Sequence, residues 1–298
     1  MRSMTLIPLA GAALALEPAL ALPTTGAGDG WVVAADNRAD FSGKQGSAGW
    51  SYLFDRGAGT VVEPMPFYTS GSGVTGWCTA NQIGGSGSYC QIARASSGEI
   101  QMHPNAPNSC SLTGPGLQRP VLRWSSGVRT EARIRLSAEW YATSGHDARL
   151  TLSANGEVLF DRTLVEIGGK PILVEFAVED LETLELLEDP TSDGCNSDAV
   201  KVHLVVLAPD CDANGIADIV EIADGSVVDD DGDGVPDACQ CNGDVIQNGV
   251  VDGADLSAVL AVWGTDGGLY PRADTNGDGV VDGQDLATVL GGWGLCGG

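Results

Sequence analysis

Two copies of one pattern, offset by 30 residues near the C-terminus, restrict the fold more than any other feature of this 298-residue chain. Residues 244–264 and 274–294 agree at 12 of 21 positions, so the segment is a duplication. Each copy opens with oxygen-bearing side chains at alternate positions around a glycine, then runs into apolar residues at helical spacing. Alternate residues of a tight loop point inward. A hard cation wanting roughly six to eight oxygens can therefore be wrapped by ligands at positions 1, 3, 5, 7, 9 and 12, with Gly at 6 for the sharp turn. In the second copy Asp274, Asn276, Asp278, the Val280 carbonyl, Asp282 and Asp285 fill every place. In the first, Asp244, Asn248, Val250, Asp252 and Asp255 do so, but position 3 is Ile246, which has no oxygen to give. Both loops are expected to bind Ca²⁺, the first more weakly.

After each loop comes a short predicted helix. Leu256, Val259, Leu260 and Trp263 fall on one face, and Leu286, Val289, Leu290 and Trp293 repeat it. The two faces are expected to pack together around a pseudo-twofold axis. Cys241 and Cys296 stand just outside the repeats, placed to staple a module too small for a robust core. Two such loop–helix units, with Asp then Leu after position 11, resemble the type I dockerin module, over 241–298. The flanking cysteines and terminal Trp-Gly-Leu-Cys resemble the GC-type variant. The resemblance implies a small α-helical module that is non-catalytic and binds a cohesin-like partner through its helices. Cellulosomal dockerins often carry a Ser/Thr pair at loop positions 10 and 11. Here those places hold Gly253-Ala254 and Gly283-Gln284, which favours a different surface-bound receptor.

Two further acidic loops precede this module. Asp210, Asp212, Asn214, Ile216, Asp218 and Glu221 match one, with Gly215 at the turn; Asp229, Asp231, Asp233, Val235 and Asp237 match another that ends at Gln240. Pro236 and the lack of apolar helical faces speak against a true helix-loop-helix pair here. The stretch resembles thrombospondin type 3 repeats. That likeness implies calcium loops with a Cys211–Cys239 bridge, and a stiffened spacer over 210–240 that holds the preceding domain away from the anchor.

These loops account for the charge. The chain carries 40 Asp+Glu against 15 Lys+Arg, a net charge of −25. Residues 210–298 hold 18 of the acids and one base, Arg272, and 15 of those 18 fall at ligand positions. Such a balance excludes nucleic acid and an anionic membrane surface as partners.

At the N-terminus Arg2, the apolar run Leu6–Leu16 and Ala19-Leu20-Ala21 predict a secretory signal over 1–21. Secretion agrees with eight cysteines: Cys78, Cys90, Cys110, Cys195, Cys211, Cys239, Cys241 and Cys296. Position suggests that Cys78 and Cys90 close the Gly/Ser-rich loop 81–88. No Cys-x-x-Cys pair exists, so zinc is not expected.

Residues 22–209 read as an all-β sandwich. Arg149–Ser153 alternates, Asn155-Gly156 signals a type I′ hairpin, and Val158–Phe160 follows. Arg129–Leu136, Pro171–Val178 and Ala199–Leu207 are further strands, and Glu179–Leu187 reads as strand in preference to a short helix. Phe41-Ser42-Gly43, Gln45-Gly46, Trp50-Ser51-Tyr52, Arg123-Trp124, Gly145-His146-Asp147 and Asp198 resemble the jelly-roll modules found beside carbohydrate-active domains in secreted bacterial proteins. That resemblance implies glycan binding. A sugar wants an aromatic platform and planar polar groups, for which Trp50, Tyr52, Trp77 and Tyr89 are the candidates. Trp124 and Trp140 are assigned to the core. A glycosidase would need two carboxylates set across the bond. Glu99, Glu131, Glu139, Glu157 and Glu175 form no such cluster in sequence, Gly84–Ser88 lacks the helix a serine nucleophile elbow needs, and His103 and His146 read as ordinary polar residues. No catalytic residue is assigned. The chain is therefore expected to be a secreted, cell-surface or extracellular display protein, with an extracellular carbohydrate-active hydrolase or a ligand-free structural protein as the alternatives.

Overall fold

The structure, a computed structural model, describes residues 30–57, 62–80, 90–104, 117–140, 147–164, 171–190, 199–229, 232–246, 248 and 250–295. The signal segment, the loop 81–88, Tyr89, Cys110, His146, Cys195, Asp198, Asp231 and Cys296 lie outside the described residues.

Twelve strands form one continuous antiparallel sheet. They are β1 (Trp31–Asp36), β2 (Trp50–Asp55), β3 (Glu63–Pro64), β4 (Phe67–Gly71), β5 (Val74–Cys78), β6 (Gln91–Ala95), β7 (Ile100–His103), β8 (Arg119–Trp140), β9 (Ala148–Ala154), β10 (Glu157–Leu164), β11 (Ile172–Pro190) and β12 (Val200–Pro209). The long strands β8 and β11 belong to both halves of the fold. The first part of β8 pairs with β2 and with the end of β11, which itself pairs with β9. The later part of β8 pairs with β12, and the sheet continues through β7, β6, β5 and β4. Register shifts in β11 between Val178 and Thr183 bend the strand where it passes from one half to the other, as bulges do. Leu122, Trp124, Leu150 and Leu152 from one half share a single core with Ile134, Leu136, Leu204 and Ile92 from the other. The sheet thus folds over itself as a sandwich, with strands whose inward residues alternate with outward ones.

Local sequence explains several of these elements. In β9 the buried residues Ala148, Leu150, Leu152 and Ala154 alternate with more exposed ones. The β9–β10 hairpin turns on Asn155 (φ 49°) and Gly156 (φ 81°), both left-handed as a type I′ turn demands. Asn155 Oδ1 also accepts the N–H groups of Glu182 and Thr183, at 3.0 and 2.9 Å. The segment Glu179–Leu187 is strand throughout, within β11.

Past β12 the chain forms α1 (Asp218–Asp224), a 3-10 turn at Asp237–Cys239, β13 (Val250–Val251), α2 (Gly253–Ala261), a 3-10 turn at Pro271–Ala273, α3 (Gly283–Gly291) and β14 (Gly294–Leu295). The spacer over 210–240 is not wholly loop. α1 does form, and Ala217 and Ile219 are 1% exposed within the sandwich core. Gly234 lies so close to β8 that a Cβ there would come within 2.0 Å of the Arg129 carbonyl oxygen. The segment docks on the sandwich through these contacts. Ala217 and Ile219, with Val220 partly buried beside them, supply the apolar contact with the sandwich.

Cys211 and Cys239 are joined in a disulfide, and Cys241 is also disulfide-bonded. No bond joins Cys78 to Cys90. Register gives the reason: Cys78 pairs with Gln91 across β5 and β6, so Cys90 falls one residue out of step and points to the opposite face. Cys90 lies in the main core, and Cys78 packs with Ala93, Val74 and Ala80.

Candidate functional site

The acidic loops share one hydrogen-bond frame. In all four, the side-chain oxygen at position 5 accepts the N–H at position 7: Asn214 from Ile216 at 2.7 Å, Asp233 from Val235 at 2.9 Å, Asn248 from Val250 at 2.9 Å and Asp278 from Val280 at 3.0 Å. The carboxylate at position 1 accepts from the glycine at position 6 in three of them: Asp210 from Gly215, Asp229 from Gly234 and Asp274 from Gly279, at 2.8–3.0 Å. Those glycines have φ of 85–89°, a conformation L side chains rarely adopt. Position 12 reaches back to position 5 in the first two loops, Glu221 meeting Asn214 at 2.9 Å and Gln240 meeting Asp233 at 3.3 Å.

In the duplicated pair the correspondence extends further. Asp252 and Asp282 cap α2 and α3, each in a reciprocal capping box with Asp255 or Asp285. Both position-12 carboxylates are fully buried. Asp255 accepts from Ile246 N (3.1 Å) and Asp252 N (2.9 Å). Asp285 accepts from Asn276 N (3.3 Å), Asp282 N (2.7 Å), Thr275 N (2.8 Å) and Thr275 Oγ1 (3.1 Å). Burial pushes both carboxyls up, but the surrounding N–H donors outweigh it and hold them below the usual aspartate value. Ile246 therefore keeps the backbone role of position 3 while its side chain adds no ligand.

Asp218 behaves in the opposite way. Burial raises its pKa, and the neighbouring charges of Asp210, Glu221 and Asp212 add to the rise, against one N–H bond from Cys211. These groups repel one another, and a cation would relieve that. The donor set, carboxylate, carboxamide and carbonyl oxygen, is the one that suits Ca²⁺. A carboxylate oxygen that accepts one N–H keeps a second lone pair for a metal. Ligand atoms of Cys211, Asp218 and Cys239 lie within 4.8 Å of one another, but both sulfurs are spent in the disulfide.

The two loop–helix units exchange ends. Val251 pairs with Gly294 and Val250 with Leu295. At the equivalent places, Gly264 N donates to Val281 O and Val281 N to Thr265 O, each at 2.8 Å. Val251, Val259, Val281 and Val289 lie at the centre of the small core, with Leu256 and Leu286 partly buried beside them. The expected fully inward faces need correction: Leu260, Trp263, Leu290 and Trp293 are 46–53% exposed. A helix in a pair covers only one arc of its surface, and these residues fall beyond it. The result is two symmetry-related apolar Leu/Trp pairs on the outside.

On the sandwich, the proposed aromatic platform is also corrected. Trp50, Tyr52 and Trp77 are 0%, 1% and 7% exposed. Each polar handle finds an internal partner. Trp50 Nε1 donates to Asp40 Oδ2 at 3.2 Å, Trp77 Nε1 to the Ser42 carbonyl at 2.8 Å, and the Tyr52 hydroxyl accepts from Ser42 N at 3.2 Å. Burial pushes the Tyr52 phenol up to about 12. Gln45 clamps the same strand, its Oε1 accepting from Tyr52 N and its Nε2 donating to Tyr52 O, both at 2.8 Å. The Phe41–Tyr52 motif is thus a structural knot. Beside it on β4 stands a ring with no role in the sequence pattern, Tyr68, 42% exposed and edge-on to Trp77.

A polar cleft of about 460 Å³ opens elsewhere, on the outer face of β5, β6, β7 and β12. Its chemistry comes from Gln91, Glu99, Gln101, His103 and Lys201. Glu99 Oε2 meets Lys201 Nζ at 3.1 Å and accepts from Ser97 Oγ at 3.0 Å. Burial pushes the Glu99 carboxyl up, but these bonds hold it below the usual range. Gln91, Gln101 and Lys201 carry no motif and were invisible until strand pairing brought them together.

No protein-family model and no curated protein matches the chain. Solved structures with some similarity include a CBM51 carbohydrate-binding module from Clostridium perfringens in complex with methyl-galactose (14% identity over 37% of this chain and 69% of that one, TM-score 0.25). Another is a cleaved adhesin domain of Lys-gingipain from Porphyromonas gingivalis (11% identity, 55% and 92%, TM-score 0.30). A third is a CBM4 structure (11% identity, 38% and 72%, TM-score 0.23). Superpositions this loose assign neither a family nor a ligand.

Proposed function

We propose that the chain is a secreted, non-catalytic protein that displays a glycan-binding β-sandwich, through a calcium-dependent dockerin-like anchor that docks on a cohesin-like or other extracellular partner. The observation that carries the anchor is the exchanged pair of loop–helix units. Two copies of one calcium-type loop frame, related by the 30-residue repeat, present matching exposed Leu/Trp pairs. Asp274, Asn276, Asp278, Val280, Asp282 and Asp285 would hold one Ca²⁺, and Asp244, Asn248, Val250, Asp252 and Asp255 a second. Asp210, Asp212, Asn214, Ile216, Asp218 and Glu221, with Asp229, Asp233, Val235 and Asp237 in the following loop, would hold others against the sandwich. The bound metal supplies charge neutralisation and cross-links the loop ends.

The non-catalytic part rests on the carboxylates. Glu99 and Glu175 are engaged by Lys201 and Arg135, and Glu99, whose carboxyl is held low, is a poor general acid.

The test immobilises the full chain and passes extracellular fractions over it in calcium or in chelator. A surface protein retained in calcium, released by chelator and lost with Leu260→Asp plus Leu290→Asp is the expected result. Retention indifferent to both would overturn the anchor. Calorimetric titration with Ca²⁺ tests the metal separately.

A further inference from the structure

The cleft on the sandwich carries an inference that rests on the glycan-binding reading and gives it a place. Along β6, β7 and the first residues of β12 the side chains point alternately to the main core and to the opposite face, where Gln91 and Gln101 are 9% and 7% exposed. Ile92, Ile100, Met102, Val200 and Val202 face the core, so Gln91, Glu99, Gln101, His103 and Lys201 face outward. Strand register aligns them: Gln91 opposite His103, Ala93 opposite Gln101, and Gln101 opposite Lys201. Small residues, Gly73, Ala95 and Ala199, line the hollow between the longer side chains. The floor is therefore fixed by β-ladder backbone, and its volume of about 460 Å³ lies in the ordinary range for small-ligand sites.

We propose that this cleft binds a neutral saccharide, its hydroxyls held by the carboxamides of Gln91 and Gln101 and by the Glu99–Lys201 pair. The reasoning is one of matched donors and acceptors. A carboxamide both donates and accepts, as a sugar hydroxyl does. Glu99 and Lys201, the acid and the base among the lining residues, pair with each other, so neither is offered as an isolated charge to an ion. Within a chain of net charge −25, a ligand bearing carboxylates or sulfates would in addition be repelled. His103 also lines the cleft, and burial pushes its pKa down, which favours the neutral imidazole. Among the described residues no Phe, Tyr or Trp lines the cleft, so the binding proposed is hydrogen-bonded in character and dependent on individual polar groups.

The test uses the full chain and calorimetric titration with neutral gluco-, xylo-, manno- and galacto-oligosaccharides, with uronate oligosaccharides as the charged comparison. Binding of a neutral sugar, weakened about tenfold or more by Gln101→Ala and by Glu99→Gln and unchanged by Tyr68→Ala, is the expected outcome. Melting curves accompany each variant. Should Gln101→Ala fail to fold, Glu99→Gln, a near-isosteric change at a partly exposed position, carries the test. A neutral sugar bound equally well by both cleft variants overturns the cleft and leaves glycan binding standing. Binding lost only with Tyr68→Ala moves the site to the aromatic edge. Preference for uronates overturns the neutral ligand, and no binding to any sugar overturns the glycan reading together with the cleft.

Discussion

Asp285→Ala and Asp278→Ala separate the folding of the C-terminal module from its metal binding. Asp285 is fully buried and accepts four hydrogen bonds at 2.7–3.3 Å, three of them from backbone N–H groups. Alanine leaves those three amides without their acceptor and removes half of the α3 capping box. At about 1 kcal/mol for each partly solvated amide, the cost is about 3 kcal/mol, with or without calcium. The exposed Asp278 accepts only from Val280 N (3.0 Å) and Asn276 Nδ2 (3.2 Å), and water can replace it. Its loss in chelator should cost less than about 1 kcal/mol. With Ca²⁺ at roughly a thousandfold over its dissociation constant, the intact loop gains about 4 kcal/mol, and Asp278→Ala forfeits most of that gain. The assay is hydrogen exchange by mass spectrometry on the full chain, read at peptides covering α3. In chelator, Asp285→Ala should raise exchange on the order of a hundredfold and Asp278→Ala by less than about tenfold. Equal effects in chelator would refute the division of roles. Full calcium protection in Asp278→Ala would refute the ligand set.

Acidification in chelator should act with opposite signs on the two acidic regions. Asp255 and Asp285 sit below the ordinary value of 3.8, so their contribution is present above that pH and lost as pH falls through their folded pKa values; exchange at α2 and α3 should rise there. Asp218 sits above 3.8, so its loop gains stability as pH falls through its folded value toward 3.8, and exchange at α1 should fall over that window. Gly234→Ala drives a Cβ to within 2.0 Å of the Arg129 carbonyl oxygen at φ 85°. It should cost more than about 2 kcal/mol, read as faster exchange at peptides around Arg129. Replacing Cys211 and Cys239 by Ser opens a link of 28 residues and should lower stability by about 3–4 kcal/mol, visible as a lower melting temperature under non-reducing conditions.

The features legible in the sequence were those in which residue identity is dictated locally. Asn155-Gly156 had to be a type I′ turn because both residues needed positive φ. The loop positions were legible because the turn and the alternation fix which residues face inward. Features set by a distant partner were not legible. Trp50, Tyr52 and Trp77 looked like a platform because nothing local reveals that Asp40 and Ser42 satisfy their polar groups inside. Helical spacing grouped Leu256 with Leu260 and Trp263, but only the packed pair shows which arc is covered. Gln101 and Lys201 are 100 residues apart, and pairing of β7 with β12 alone makes them neighbours.

Placement changes what the acidic tail can do. The first pair of loops is tied to the sandwich by Ala217 and Ile219 in the core and by Gly234 on β8, and the two loops are tied to each other by the Cys211–Cys239 bridge. Filling those loops with metal would stiffen the sandwich and relieve the repulsion around Asp218. The second pair encloses its own small core around Val251, Val259, Val281 and Val289 and turns its Leu/Trp pairs outward. Filling those would stabilise a docking surface. One cation can therefore do two jobs in one tail. The jobs should respond differently to chelation, because Asp255 and Asp285 are already held by backbone N–H groups, whereas Asp218 is raised by its neighbours' charge. Calcium removal is then expected to loosen the segment around α1 before it unravels the helix pair.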